Sequence, residues 1–123
     1  MKTVHFIRHG ETEQNAQKVW QGHTDTPLNK KGLEQAKLLS ERISSRVTKV
    51  FSSDLKRASQ TASFLSSSSE LRDNLREINV GDFTGMSVKD TYTSNHEIFQ
   101  SLQSDSFQFP NGESVQEIKD RVR

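Results

Sequence analysis

The chain has 123 residues, which predicts one domain, and its 17 Lys and Arg nearly balance 16 Asp and Glu, so nucleic acid or an acidic membrane is not implied as a partner. It has no cysteine, so disulfides and thiolate metal sites are excluded and a reducing compartment fits. Since no apolar run at the N-terminus is long enough for a signal peptide or a membrane span, we predict a cytoplasmic protein.

The first predicted element is a buried strand that leads into a cation and an imidazole. The apolar run Thr3-Val4-His5-Phe6-Ile7 is followed directly by Arg8-His9-Gly10, and such a run bounded by glycine is typical of a strand. In open α/β sheets, ligands bind beyond the carboxyl ends of strands, where Arg8 and His9 lie. A guanidinium suits a phosphate and a neutral imidazole can attack phosphorus, although a lone histidine after a strand is more often a turn or surface residue.

A loop and a helix come next. Residues 20–28 contain Gly, Asp and Pro, which are typical of an ordered loop. Asn29 is a suitable N-cap, and we predict a first helix from about Lys30 to about Ser45. The apolar residues that recur at helical spacing within it are Leu33, Ala36, Leu39 and Ile43.

A second strand and a second helix follow. The strand is predicted from Val47, Val50 and Phe51, and Ser52 and Ser53 are expected to cap the helix. The apolar stripe of that helix consists of Leu55, Ala58, Ala62 and Leu65. The order strand, helix, strand, helix predicts a parallel sheet with right-handed crossovers.

The rest of the chain is predicted to contain mainly loops and to end in a helix. The serine run 66–69 predicts a linker, and Leu71–Ile78 a short strand or extended segment. We further predict turns at Gly81 and Gly85, a helical turn or two from Ile98 to Leu102, a turn at Phe109–Gly112, and a helix from Val115 that starts at a Ser114/Glu117 capping box.

Two features of the chain predict an incomplete domain. The hydrophobic fraction is 30%, and adding the glycines still leaves it below the roughly 45–50% typical of a globular domain. The chain also ends inside its last predicted helix.

A second cation is predicted to join the first one. Arg57 lies in the first turn of the second helix, so parallel strands would bring it to the same sheet edge as Arg8 and His9. Two arginines at a helix N-terminus make an anion site, and Asn15 can add an uncharged hydrogen bond. The plainer alternatives are a surface Arg57 paired with a carboxylate and an ordinary turn asparagine.

Five linked motifs run in order along nearly the whole chain, and together they resemble the histidine phosphatase superfamily, the phosphoglycerate mutase-like group. They are Arg8-His9-Gly10-Glu11-Thr12-x-x-Asn15, Gln21-Gly22-x-x-Asp25-x-Pro27-Leu28-x-x-x-Gly32-x-x-Gln35-Ala36, Ser52-Ser53-Asp54-Leu55-x-Arg57-Ala58-x-Gln60-Thr61-Ala62, Leu75-x-Glu77-x-x-x-Gly81-x-x-x-Gly85, and Pro110-x-Gly112-Glu113-Ser114. Within the family, small-molecule phosphatases of the α-ribazole phosphatase-like branch look closer than mutases, because the proline-rich stretch typical of mutases is missing before Pro110.

The resemblance implies a fold and a mechanism. The fold would be α/β, a three-layer α/β/α arrangement with a mostly parallel sheet, and residues 1–123 would form a single histidine phosphatase domain that lacks its C-terminal part. The substrate would be a small-molecule phosphomonoester, and the arginines would stabilise the transferring phosphoryl group without a metal or other cofactor. The implied roles are His9 as the phosphorylated nucleophile, Arg8 and Arg57 with Asn15 as ligands of the phosphoryl oxygens, Gln21 and Gly22 as substrate contacts, and Glu77 as the proton donor to the leaving alkoxide.

One expected residue is missing from these motifs. The family carries a second active-site histidine on a later central strand, and His5, His23 and His96 do not follow an apolar strand into a glycine as it would. The resemblance therefore implies impaired hydrolysis. The alternatives are an inactive fragment that binds a phosphorylated ligand or a partner, a truncated product without activity, and mutase-type phosphotransfer. The identity of the substrate and the oligomeric state stay open.

Overall fold

The structure, a computed structural model, describes residues 1–101, 104 and 106–123 and has an α/β architecture with a parallel sheet, as predicted. Strand β1 is Phe51–Ser53 and strand β2 is Glu70–Arg72, and Phe51 lies opposite Glu70. The helices are α1 Glu13–Ala16, α2 Lys30–Ile43, α3 Lys56–Ser63, α4 Val88–Ser94, α5 His96–Gln100 and α6 Val115–Arg121. Short 3₁₀ segments lie at Ser44–Arg46, Asp73–Leu75 and Gly81–Phe83. Within these residues no helix has both the length and the apolar character needed to cross a membrane.

Two helices begin where their local sequence predicts. The Asn29 side chain accepts a hydrogen bond from the Gly32 amide at 2.8 Å, and α2 starts at Lys30. Helix α6 starts after Ser114, whose side chain forms the predicted capping box with Glu117. Both signals act within four residues of the helix start, so they need no help from the rest of the fold.

The start of α3 differs from the prediction. Its N-cap is Leu55, and neither Ser52 nor Ser53 occupies that position. The Lys56 amide donates instead to the Asp25 carboxylate at 2.7 Å, while Ser53 Oγ accepts only the Leu55 amide. The prediction was wrong because Asp25 reaches α3 from a loop far away along the chain.

The predicted first strand is not a strand in the structure. Val4 is 71% exposed and Phe6 is 96% exposed, so the segment is not buried either. In the described part of the chain, the backbone of residues 3–7 makes no hydrogen bond. Strand β1 also starts later than predicted and has β2 as its single neighbour. The apolar pattern of residues 3–7 is typical of a strand. A strand also needs a paired neighbour, however, and no described segment provides one.

The later segments agree with the prediction in part. The stretch predicted as extended over Leu71–Ile78 begins in β2 and then turns into the 3₁₀ segment Asp73–Leu75. The turn at Phe109–Gly112 is closed by a hydrogen bond from the Gly112 amide to the Phe109 carbonyl. Helix α5 covers the first part of the helical turn predicted over Ile98–Leu102, and Leu102 lies outside the described residues. Helices α1 and α4 were not predicted.

The best-packed core lies in the second half of the chain. Its fully buried members are Val80, Phe83, Phe107 and Phe109. Trp20 and Phe99 pack against them, and the Trp20 indole donates a hydrogen bond to Thr91 Oγ1 at 2.7 Å. We call Trp20, Phe83, Phe99, Phe107 and Phe109 the aromatic cluster.

Candidate active site

The turn that carries His9 is fastened to two helices. The Gly10 amide donates to Thr61 Oγ1 at 3.1 Å, and that hydroxyl donates to the Arg57 carbonyl within α3. On the other side Gly10 lies against α2, where a Cβ atom on Gly10 would come within 2.4 Å of the Gly32 carbonyl oxygen. Only glycine fits this close approach. His9 is thereby held between α2 and α3 by the contacts of its neighbour Gly10.

The His9 ring is oriented by its own turn. Its Nδ1 lies 2.6 Å from the Gly10 carbonyl oxygen, and because a carbonyl can only accept, Nδ1 carries the proton in this contact. Nε2 is then left with a free lone pair. Burial lowers the pKa of His9, and the charges of Arg57 and Arg8 lower it further, against the opposing effects of the Gly10 hydrogen bond and the charge of Glu77. The lowered pKa therefore favours the neutral imidazole, with the lone pair of Nε2 available.

Arg57 is a buried cation that holds the neighbouring loop. It is 2% exposed, and its terminal nitrogens donate to the carbonyl oxygens of Thr24 and Gly22, each at 2.7 Å. Burial lowers the pKa of its guanidinium and the charges of Glu77 and Asp25 oppose that shift, but a guanidinium stays charged in proteins. Arg57 thus places a fixed positive charge near His9.

Arg8 is an exposed cation with no hydrogen-bond or ion-pair partner among the described residues. It precedes His9, and its charge lowers the pKa of the His9 ring. A guanidinium without a carboxylate partner can bind an external anion, since its donors are not already used.

These cations lie along one groove of about 730 Å³. Residues 3–9 form one wall, residues 46–53 form the other, and α3 contributes Ala58, Thr61 and Ala62. His9 is the last residue of the first wall, and Arg57 follows the carboxyl end of the second. The structure therefore brings Arg8, His9, Arg57 and Glu77 to one groove.

Glu77 lies on an exposed loop segment at the same groove. Its charge raises the pKa values of both His9 and Arg57, so it is close enough to act on each of them electrostatically. Its Oε1 accepts a hydrogen bond from the Ile78 amide at 2.9 Å. The Glu77 carbonyl oxygen accepts from His23 Nε2 and from Arg121 Nη2, at 2.8 and 3.0 Å.

Three other predicted site residues are engaged in hydrogen bonds with other residues of the chain. Asn15 Oδ1 accepts from the Thr12 amide, and buried Gln21 accepts from Thr12 Oγ1 at 2.7 Å. Gly22 is buried and offers its carbonyl to Arg57. These three residues do not line the groove described above. Their predicted substrate contacts stay predictions.

Several residues that shape the site were not assigned a role from the sequence. Thr61 and Glu113 belong to the motifs that carry the resemblance, but the resemblance implied no role for either residue. Asp25 also stands in a motif, but the helix it caps could not be foreseen. No sequence motif pointed to Arg121, because its hydrogen-bond partners lie in other segments of the chain.

Comparisons with known proteins agree with the motifs. The family model described as "Histidine phosphatase superfamily (branch 1)" matches residues 4–123. The chain is 35% identical over 131 residues to a "Probable phosphoglycerate mutase GpmB" of Serratia proteamaculans (strain 568), covering 100% of this chain and 60% of the relative. A protein of the same description from Salmonella choleraesuis (strain SC-B67) is also 35% identical, with 99% and 60% covered. The chain thus spans about three fifths of the length of these relatives.

Solved structures give the same picture of the fold. The protein TTHB049 from Thermus thermophilus superposes with a TM-score of 0.81 at 36% identity, covering 94% of this chain and 66% of that one. A mycobacterial glucosyl-3-phosphoglycerate phosphatase, solved with VO3, superposes with a TM-score of 0.81 at 29% identity, covering 92% and 59%.

Proposed function

The chain belongs to the histidine phosphatase superfamily, and from this premise we propose that it is a phosphomonoester hydrolase that forms a phosphohistidine on His9. The observation that carries the proposal is the state of the His9 ring. Its Nδ1 is committed to the Gly10 carbonyl, and its Nε2 is free beside the groove that Arg8 and Arg57 also line. A neutral nucleophile between two cations suits a reaction at a phosphate dianion.

In the first step His9 takes the phosphoryl group. Nε2 bonds to phosphorus while the bond from phosphorus to the ester oxygen breaks. The guanidiniums of Arg8 and Arg57 stabilise the negative charge as it spreads over the phosphoryl oxygens. The leaving alkoxide is strongly basic, and the carboxyl group of Glu77 supplies the proton that makes it an alcohol.

In the second step water releases phosphate. The Glu77 carboxylate, having lost its proton, accepts one from a water molecule. The water oxygen bonds to phosphorus as the bond to Nε2 breaks, which regenerates neutral His9 and protonated Glu77. The cycle closes without a redox change, and no metal is needed because the arginines carry the charge.

The substrate class we propose is a small-molecule phosphomonoester. The relatives of this chain support this, since they include a protein described as a probable phosphoglycerate mutase and a glucosyl-3-phosphoglycerate phosphatase. The first of these names also supports a second candidate function, in which the phosphoryl group on His9 passes to a hydroxyl of another phosphoglycerate rather than to water. The VO3 in the phosphatase structure supports an oxyanion site in the family.

The test is direct phosphorylation of the chain. The protein is incubated with p-nitrophenyl phosphate, whose leaving group needs little help from an acid, and acid-labile phosphate is mapped by mass spectrometry. We expect one label, on His9, and none in His9→Ala. The matched control is His96→Ala, because His96 is exposed and, among the described residues, its ring shares a hydrogen bond with Gln100.

The fate of the label separates the candidate functions. Release as inorganic phosphate supports hydrolysis, whereas faster loss on addition of 3-phosphoglycerate with transfer to its free hydroxyl supports the mutase. A chain that binds vanadate through Arg8 and Arg57 but never labels His9 would contradict both and support a phospho-ligand binding protein.

A further inference from the structure

The segment that carries Glu77 accepts hydrogen bonds from a residue of α6, the last helix of the chain. Arg121, the last residue of α6, donates from Nη1 to the Asn74 carbonyl at 2.7 Å and from Nη2 to the Glu77 carbonyl at 3.0 Å. The same guanidinium donates to both carboxylate oxygens of Glu113, at 2.7 and 3.1 Å. The Arg121 side chain thus connects α6 to Glu113 and to the segment 74–77.

Glu113 completes the connection on its other side. Its Oε2 accepts the Asn79 amide at 2.7 Å, and its own amide donates to the Asn79 carbonyl at 2.8 Å. The segment 74–79 is therefore held at both ends by a single bidentate ion pair. We call the pair of Glu113 and Arg121 the brace.

The brace is shielded enough to be well ordered. The side chains of Arg121 and Glu113 are 21% and 18% exposed. Burial raises the pKa of Glu113, but the hydrogen bonds from Arg121 and Asn79 and the charges of Arg121 and His23 outweigh it, so the pKa lies below the ordinary value. Glu113 is therefore ionised at neutral pH, and a planar guanidinium matches a carboxylate in two parallel hydrogen bonds.

The Glu77 side chain itself makes few contacts, although both of its neighbours are anchored: Arg76 donates to both carboxylate oxygens of Asp54, at 2.7 and 2.5 Å, and Ile78 packs against the buried core. The Glu77 side chain is exposed and its carboxylate is held by the neighbouring Ile78 amide. Leu75, which precedes it by two residues, is 42% exposed and so contributes little packing. The Glu77 carbonyl itself is held by two donors, Arg121 and His23.

We propose that Glu113 and Arg121 are positioning residues, which hold Glu77 at the groove so that its carboxyl group can transfer protons to and from the reacting phosphoryl group. The inference rests on the proposed function in one respect, the role of Glu77 as proton carrier. Displacement of a reacting group by about 1 Å can cost roughly a hundredfold in rate, so loss of the brace should be visible in the step that uses Glu77.

The experiment measures the lifetime of the phosphohistidine. After labelling with p-nitrophenyl phosphate, its hydrolysis is followed in the wild type, Glu77→Gln, Arg121→Gln and the double variant. We expect Arg121→Gln to slow hydrolysis by about tenfold to a hundredfold, and to add nothing further in the Glu77→Gln background. A merely structural effect would slow both backgrounds equally and overturn the proposal.

Conservative variants identify the type of support. Lysine at position 121 keeps the charge but not the fork of donors, so Arg121→Lys should restore little of the lost rate. Glu113→Gln keeps the size of the side chain and should slow hydrolysis as well. The matched control is Arg72→Gln, which breaks an exposed ion pair with Glu70 on β2 and should change nothing.

Amide exchange keeps the test independent of the reaction. In Arg121→Gln and Glu113→Gln, the Asn79 amide, whose acceptor is the Glu113 carboxylate, should exchange at least about tenfold faster, consistent with the weakening of its protection by about 1.4 kcal/mol. If His9 never labels, the proposed function fails, and exchange still decides whether the brace holds this segment. Unchanged exchange in both variants would overturn the brace whatever the labelling shows.

Discussion

The aromatic cluster and the groove wall of residues 3–7 carry similar apolar side chains, yet they bury them to opposite extents. Phe109 is 3% exposed in the cluster, whereas Phe6 is 96% exposed on the wall. The ring of Phe109 lies 5.0 Å from that of Phe107 and 5.6 Å from that of Trp20, both at steep angles. Residues in the cluster therefore contribute packing energy that the same residue type at the groove does not.

The end of the groove that carries His9 and Arg57 is held instead by polar contacts. Thr61 ties the His9 turn to α3, Arg57 ties α3 to the loop at Gly22, and Asp25 ties that loop back to the start of α3. Each such hydrogen bond contributes about 1 kcal/mol net to stability. It also fixes the relative orientation of the two groups that it joins, which apolar packing does not. The comparison teaches that stability and site geometry have separate sources in this chain.

The largest effect should come from truncating one ring of the cluster. Phe109→Ala removes a buried ring that contacts the other four aromatic rings of the cluster, and it should lower the free energy of unfolding by about 3–5 kcal/mol. The measurement is urea unfolding followed by Trp20 fluorescence. Phe6→Ala is the matched control and should change the free energy of unfolding by no more than about 0.5 kcal/mol. Equal losses in the two variants would mean that the wall is covered in solution and that the contrast between the regions is false.

The second-largest effect should be on the rate of His9 phosphorylation rather than on the free energy of unfolding. Arg57→Lys keeps a positive charge but cannot donate to both the Gly22 and Thr24 carbonyls while facing the phosphoryl group. We expect the rate of His9 phosphorylation to fall by about a hundredfold to a thousandfold, as on loss of a transition-state donor. The rate is measured by quenched-flow labelling, with Arg42→Lys on the exposed face of α2 as control. A fall below threefold would remove Arg57 from the phosphate site.

The smallest effect concerns the protonation of His9. Its ring should titrate by NMR with a pKa below 6.5, because burial and then the charges of Arg57 and Arg8 disfavour the imidazolium. Arg57→Gln removes one of these charges and should raise the pKa of His9 relative to the wild type. A pKa of His9 at or above the ordinary value in the wild type would contradict the assignment.

The sign of the linked stability follows from the same shift. Below pH 6.5 the unfolded chain binds a proton on His9 more readily than the folded chain does. The stability contributed by neutral His9 is therefore present above that pH and is lost as the pH falls through the folded pKa. His9→Gln should remove this part of the pH dependence, which urea unfolding at several pH values would reveal.

Local signals predicted local structure well. Asn29 and the Ser114/Glu117 pair start their helices where expected, because a capping side chain and its target amide are three residues apart. The same reasoning failed at α3, where the capping carboxylate of Asp25 comes from another loop. It failed again at residues 3–7, whose apolar pattern indicates a strand but cannot supply the neighbour that a strand pairs with.

The candidate site divides in the same way. The sequence by itself determined which candidate groups stand in the motifs, since Arg8, His9 and Gly10 are adjacent and the resemblance points to Arg57 and Glu77. Only the tertiary structure decided the burial of Arg57 under its loop, the lowering of the pKa of His9 by burial and by the charge of Arg57, and the brace that fastens Glu77. The reason is physical: residue type and short spacing set which chemistry and which helix starts are available, whereas desolvation, charge proximity and hydrogen bonds between distant segments exist only once the chain has folded.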